Sequence, residues 1–229
     1  MEYAIHSYIR KFLHKTIEVP PPLDDSRFKK VGSEKFRKKY NFDKKYFVAG
    51  FLGRITYEKG LMHLIGAAKI LEAKIPNMKL AIAGEGVQVA GGKSESIVPK
   101  LKEKIKNLGL KNIIFTGKIP DAELNEFFSS LGVFVLPSIN RLESFGMVQV
   151  EAMLCGTPVV ASDIAGVSSV VKKTGFGLLA EPKNPQALAD AIFSIYKNKK
   201  KFLPKREDVI KIFGIKKTLN VYEKAFLSR

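Results

Sequence analysis

The amino-acid sequence predicts an α/β protein, a Rossmann-like parallel sheet with helices on both faces. Two patterns carry this reading. From Tyr46 onward, short apolar runs alternate with stretches of helical period. Those runs are almost continuously apolar, as expected of strands buried on both sides rather than of a sheet with one wet face. Composition agrees: with 229 residues, 45% hydrophobic and 27% charged, the chain can bury a sizeable core. A prior of roughly 150 residues per domain allows one or two domains.

The elements follow in order. "YFVAGFLG" reads as the first strand. In "KGLMHLIGAAKILEAK", Leu61, Leu64, Ile65, Ala68 and Leu71 repeat at helical spacing. "MKLAIAG" is a second buried strand, and "SIVPKLKEKIKNLG" holds a charged helix closed by Gly109. "NIIFTG" is the third strand, followed by a short helix in "PDAELNEFFSS" with Asp121 expected as its cap. Strand "GVFVLPS", helix "FGMVQVEAML", strand "TPVVAS", helix "IAGVSSVVKK" and strand "GFGLLA" continue the alternation. In "NPQALADAIFSIYKN", Asn184 is the expected N-cap and Pro185 the first helical residue.

The two ends stand outside this alternation. Residues 1–45 are expected to hold a helix over 1–14 and a proline-stiffened connector, "TIEVPPPLDDSRF". Residues 46–205 make the layered domain, and residues 206–229 one or two closing helices. A helix and a stiff connector ahead of the first strand suggest that something precedes this domain.

The formal net charge is +17, crowded into "RFKKVGSEKFRKKYNFDKK" and "KNKKKFLPKR". Such a balance suits nucleic acid, an anionic membrane or phosphorylated small molecules. Neither the aromatic–glycine pattern of an RNA-binding sheet nor zinc-finger spacing accompanies the lysines, so no nucleic-acid partner is expected. No apolar run approaches the roughly 20 residues of a bilayer span, and "MEYAIHSYIRKFLHKT" lacks the features of a signal peptide. A single cysteine, Cys155, excludes an internal disulfide and fits a reducing compartment. A cytoplasmic location is expected, with the basic ends suited to the inner face of a membrane. With His6, His14 and His63 as the imidazoles, a structural zinc site is not expected.

In sheets of this kind ligands sit at the carboxyl ends of the strands. After the first strand, "GRITYEKG" offers Gly53 for a tight turn and sets Arg54 and Lys59 around a helix start. Two cations there are unfavourable unless an anion lies between them; exposed basic residues are the plainer alternative. "AGEG", with Gly84, is an incomplete dinucleotide turn. "FTGKIP" brings Lys118 and Ile119 to a strand end, where backbone could meet a flat base. The sharpest stretch is "ESFGMVQVEAMLCGTPVV", from Glu143. If its helix starts near Ser144 or Phe145, free first-turn N–H groups face the strand ends and suit a phosphate or a sugar hydroxyl. Glu151 projects close to Ser144, beside Met147, Val150 and Leu154. A buried carboxylate needs donors, and a ribose diol supplies two; a solvated face is the alternative.

This stretch resembles the E-x7-E signature of the retaining, nucleotide-sugar-dependent glycosyltransferases of the GT-B fold, the glycosyl transferases group 1 and glycogen synthase-like family. "GRITYEKG" is similar to the family's "GR-x4-KG", and "AGEG", "FTGKIP" and "LPS" fall in its order, over roughly Val19 to Tyr196. The resemblance implies that Arg54 and Lys59 neutralise the donor diphosphate and support it as leaving group. Glu143 would lie near the donor sugar, with Ser144 and the backbone of Phe145 and Gly146 in the donor-binding set. The Met147 and Val148 amides would face the phosphates, Glu151 the ribose, and the Lys118–Ile119 backbone the base, with Gly53 and Gly84 in the surrounding turns. The family needs no metal for chemistry and no cofactor beyond its sugar-nucleotide substrate, and Asp24–Asp25 reads as loop.

The likeness also defines what this chain would be. The family has two Rossmann-like domains, and this sequence matches the C-terminal, donor-binding one. An N-terminal acceptor-binding domain or subunit is therefore an implied partner, without which little transfer is expected. The reaction would proceed with retention, by front-face departure of the nucleoside diphosphate. Two departures stand out: the family's "GG-x-x-E" element appears as "AGVSSVV", with Ala165 and Ser169 in its places, and the connector lacks the family's Asn-Gly. Other readings are a non-catalytic accessory subunit, a basic nucleic-acid-binding protein and a sugar-nucleotide epimerase.

Overall fold

The computed structural model describes residues 21–86, 97–140 and 143–227. The helix expected over residues 1–14 lies outside them. Six strands form one sheet: β1 (Phe47–Leu52), β2 (Met78–Ala83), β3 (Ile113–Gly117), β4 (Val133–Leu136), β5 (Val159–Ser162) and β6 (Gly177–Ala180). Their order is β3-β2-β1-β4-β5-β6, and every pairing is parallel. The continuous apolar runs are explained by this layering. Val48, Ala49 and Phe51 of β1, with Val133, Phe134 and Val135 of β4, have no exposed surface, because helices cover both sheet faces. The chain order reverses between β1 and β4, which opens a crevice at their carboxyl ends.

The helices are α1 (Glu34–Lys39), α2 (Leu61–Lys74), α3 (Val98–Asn107), α4 (Leu124–Ser130), α5 (Val148–Leu154), α6 (Val167–Thr174), α7 (Pro185–Lys197), α8 (Lys199–Phe202), α9 (Arg206–Phe213) and α10 (Ile215–Leu227). The stripe expected on α2 is the buried one: Leu61, Leu64, Ile65, Ala68 and Leu71 all lie in the core. Asn184 caps α7, its side chain accepting from the Ala187 N–H at 3.0 Å.

Two local expectations are corrected. Asp121 does not cap a helix. It opens a 3-10 turn, Asp121–Glu123, after Pro120, and its carboxylate accepts from Arg27 Nη2 at 2.6 Å. A nearby guanidinium offers it a charge-assisted partner. Helix α5 begins at Val148 rather than near Ser144 or Phe145, because Gly146 takes φ +72, outside the right-handed helical region.

The connector and the closing helices pack on the sheet domain. Leu23, Phe28, Phe36, Phe42, Phe202, Val209 and Phe213 belong to the same buried cluster as the strands, and each such side chain stabilises by about 1.5–3 kcal/mol when fully buried. Asp25 acts as a strap: its Oδ1 accepts from the Ile215 N–H at 3.0 Å, satisfying the start of α10. Arg206 Nη2 donates to the Asp25 and Phe28 carbonyls at 2.6 and 3.1 Å. The fold also joins the two lysine-rich stretches. Lys199, exposed on α8, has its pKa lowered by partial desolvation and then by the nearby charges of Lys30 and Arg37.

Candidate functional site

The loops at the carboxyl ends of the strands are zipped to one another by their backbones. Gly53 N–H donates to the Ala83 carbonyl at 3.1 Å, Gly84 N–H to Gly117 at 2.8 Å, and Ile55 N–H to Glu85 at 2.9 Å. Gly84 is needed here as glycine. At φ +129 a Cβ on it would sit 1.9 Å from the Gly53 carbonyl oxygen, so the two loops meet only where a side chain is missing. Across the switch point, Ile139 N–H donates to the Glu58 carbonyl at 2.9 Å, which ties the loop after β1 to the loop after β4.

That tie brings two of the expected site residues together. Lys59 and Glu143, 84 positions apart, form an ion pair. Their side chains are only 17% and 18% exposed, so the pair is screened far less than a surface pair. Arg54 stays exposed on the same loop. Between the two cations lies Glu58. Burial opposes its ionisation, yet hydrogen bonding and the charges of Arg54 and Lys59 hold its pKa below the ordinary value. The anion required between the two cations is thus partly supplied from within the chain.

The segment Ser144–Met147 runs from Glu143 into α5. The N–H groups of Gly146, Met147 and Val148 meet no acceptor among the described residues, so they are open to an outside oxygen. Two residues that sequence reasoning passed over fix this segment. Gln149 has no exposed surface; its Nε2 donates to the Phe145 and Val167 carbonyls, both at 3.1 Å. Its signal in the sequence is a polar residue amid apolar ones, between Glu143 and Glu151. Gly166, in the loop after β5, rests against the Ser144 carbonyl. Phe145 packs edge-on to Phe213 of α9, with ring centroids 5.6 Å apart.

Glu151 sits in the middle of α5, half-buried, and its carboxylate accepts no hydrogen bond from any described residue. Burial raises its pKa, the Arg27 charge lowers it, and the Asp121 charge raises it again. Lys118 is exposed and Ile119 buried in the loop that leads from β3 to Asp121. Of the expected residues, Lys59 and Glu143 meet directly, Arg54 shares the Lys59 loop, Glu151 follows the Ser144–Val148 segment in α5, and Lys118 and Ile119 stand in the loop after β3. The pairing of Arg27 with Asp121 has no signal in the sequence. Cys155, one turn beyond Glu151, has its thiol pushed up to about 12 by burial, so it stays protonated and unreactive. Among the described residues, no three His, Cys, Asp or Glu side chains stand together in a way that could hold a metal ion. Chemically, the site offers cations and open N–H groups to an anion and an unpaired carboxylate to a pair of hydroxyls.

A family model described as Glycosyl transferases group 1 matches residues 32–212. Mannosylfructose-phosphate synthase of Agrobacterium fabrum is 31% identical over 197 residues, covering 83% of this chain and 41% of that protein. Anabaena HepE, solved in complex with UDP and glucose, superposes with a TM-score of 0.79 at 25% identity, over 92% of this chain and 56% of that one. The C-terminal domain of a glycosyl transferase group 1 family protein of Francisella tularensis matches with a TM-score of 0.69 and 26% identity, over 84% of this chain and 99% of that one. This chain spans less than half the length of the curated relatives it matches.

Proposed function

The chain belongs to the glycosyl transferases group 1 family, and on that premise we propose that it is the donor-binding half of a retaining, metal-independent glycosyltransferase. Its substrate is a UDP-, GDP- or ADP-activated sugar. The observation that carries this reading is the Lys59–Glu143 pair, which joins the loops after β1 and β4 beside the open amides of Gly146, Met147 and Val148. HepE, which shares the fold, binds UDP and glucose, and the Francisella chain supports reading this length as a C-terminal domain.

The chemistry follows from the charges. As the bond between the anomeric carbon and the diphosphate breaks, negative charge grows on the departing phosphate oxygen. Arg54, Lys59 and the Met147 and Val148 amides stabilise that charge, and each such donor is worth about 10²–10³ in rate. An ammonium has three donors, so Lys59 can keep Glu143 while taking a phosphate oxygen. Glu143 then stands beside the donor sugar, with the Phe145–Gly146 backbone at its hydroxyls. Glu151 accepts the two ribose hydroxyls, and the Lys118–Ile119 backbone meets the base. A partner domain or subunit supplies the acceptor site, and the basic face formed around Lys30 and Lys199 rests on an anionic lipid surface. No helix among the described residues is long and apolar enough to cross a membrane.

Calorimetry with UDP, GDP and ADP tests the reading. One of the three is expected to bind, and Lys59→Ala to weaken it by about tenfold or more, the worth of a hydrogen bond to a charged group. A folded chain silent with all three would overturn the proposal in favour of an accessory scaffold.

A further inference from the structure

We propose that Arg27 and Asp121 form a positioning pair for the nucleoside end of this site. Asp121 holds the Arg27 guanidinium near Glu151 without letting it close on that carboxylate, so both Glu151 oxygens stay open to a ribose diol. This rests on the donor-binding reading above.

The geometry has three parts. First, the Arg27 backbone is pinned. Its carbonyl accepts from Asn125 Nδ2 at 3.1 Å, the Lys29 N–H donates to Asn125 Oδ1 at 3.2 Å, and Arg206 clamps the carbonyls of Asp25 and Phe28 on either side. Only the side chain of Arg27 is left to turn. Second, that side chain is taken by Asp121, Nη2 to Oδ2 at 2.6 Å, across 94 residues of sequence. The two side chains are 49% and 81% exposed, and so exposed a pair contributes little to stability. Its consequence lies in what stands beside it. Third, Glu151 is that neighbour: Asn125, which pins the Arg27 carbonyl, also accepts from Cys155 Sγ at 3.3 Å, one turn on from Glu151 in α5. The half-buried Glu151 carboxylate takes no hydrogen bond from a described residue and feels both the Arg27 and the Asp121 charge.

Arginine's planar fork favours a carboxylate, and two carboxylates compete for this one. With Asp121 in place, Arg27 lends Glu151 a favourable charge but leaves its lone pairs unspent. Without Asp121, the fork turns to Glu151 and occupies the oxygens a ribose would use.

Four chains distinguish this from a structural role: wild type, Asp121→Asn, Arg27→Gln and the double variant. Each is titrated with UDP, GDP and ADP and with the 2′-deoxy counterparts. Loss of the ribose contact should cost Asp121→Asn about tenfold in ribonucleotide affinity, the worth of one or two hydrogen bonds, and bring its ribo-to-deoxy preference close to one. The double variant, which has no fork to misplace, should regain affinity to within about threefold of wild type by the same reckoning. Urea midpoints should agree among all four, since the pair is exposed. An unchanged ribose preference in Asp121→Asn, or a double variant no better than the single, overturns the inference while leaving the donor reading standing. A wild type that binds none of the nucleotides overturns both.

Discussion

Replacing Gly166 by alanine tests how firmly the loop after β5 braces the segment Glu143–Gly146. Gly166 precedes α6 with φ 85 and ψ −64, and a Cβ on it would lie 2.0 Å from the Ser144 carbonyl oxygen and 3.8 Å from that of Glu143. Carbon–oxygen contacts close to no less than about 3.3 Å, so one loop must retreat by about 1 Å. Gly175, at the other end of α6, is the matched control. It too has positive φ, 71, but a Cβ there meets nothing within 4 Å. Gly175→Ala should therefore lose only the backbone cost, about 1–3 kcal/mol. Gly166→Ala adds the overpacking, about 1–3 kcal/mol more, and the further strain of its ψ −64, outside the left-handed well of Gly175; the difference between two urea denaturation curves reads the two together. Because the retreat falls on the backbone proposed for the donor sugar, affinity for the sugar nucleotide should drop further than affinity for its nucleoside diphosphate; a shift of about 1 Å can cost up to 10²-fold at a reacting centre. Equal losses of stability in the two variants, or an unmoved sugar-nucleotide affinity in Gly166→Ala, would refute the bracing.

Glu151 gives a pH test of known sign. Burial raises its pKa in the folded state above the ordinary value of 4.5, so the fold disfavours its ionised form. The penalty is complete above the folded-state pKa and disappears as pH falls below about 4.5. Glu151→Gln should thus be more stable than wild type at pH 8, with an advantage that shrinks through the carboxylate range; urea midpoints against pH read it, and a pH-independent gap would count against burial as the cause. The lysine face predicts co-flotation with vesicles of anionic lipid. Each lysine contributes about 1 kcal/mol near such a surface, so reversing Lys199, Lys200 and Lys201 to glutamate should weaken binding more than 100-fold. Flotation unaffected by the reversal or by high salt would remove the membrane from the proposal.

Strand identity was legible because burial on both faces imposes a crude, local signature. Nothing else in the chain needs runs such as "VFVL" or "VVAS" at regular intervals. The α7 start was legible for the same reason, since an N-cap is satisfied within a few residues, as Asn184 and Ala187 are. The misplaced start of α5 and the misread Asp121 have a common cause. Each depends on a choice that local propensity leaves undecided: whether Gly146 turns left-handed, and whether a carboxylate finds a backbone N–H nearby or a guanidinium 94 residues away. Gln149, Arg27 and Gly166 were hidden likewise, because their partners come from other segments of the chain.

The two glutamates that bracket the segment from Glu143 to Glu151 therefore differ in kind. Glu143 is paired with Lys59 within the protein; the Glu151 carboxylate accepts nothing from the described residues, and Arg27, whose charge it feels, is bonded to Asp121. On the donor-binding reading, a site built this way has its cation already paired and its binding carboxylate uncommitted. A diphosphate, on the same reading, shares the Lys59 ammonium with Glu143, whereas a ribose finds the Glu151 carboxylate unshared. On that reading the nucleoside end adds affinity of its own to that of Lys59, and the shared Lys59 charge is drawn further toward the oxygen on which charge grows. That is the division required of an interaction meant to strengthen in the transition state.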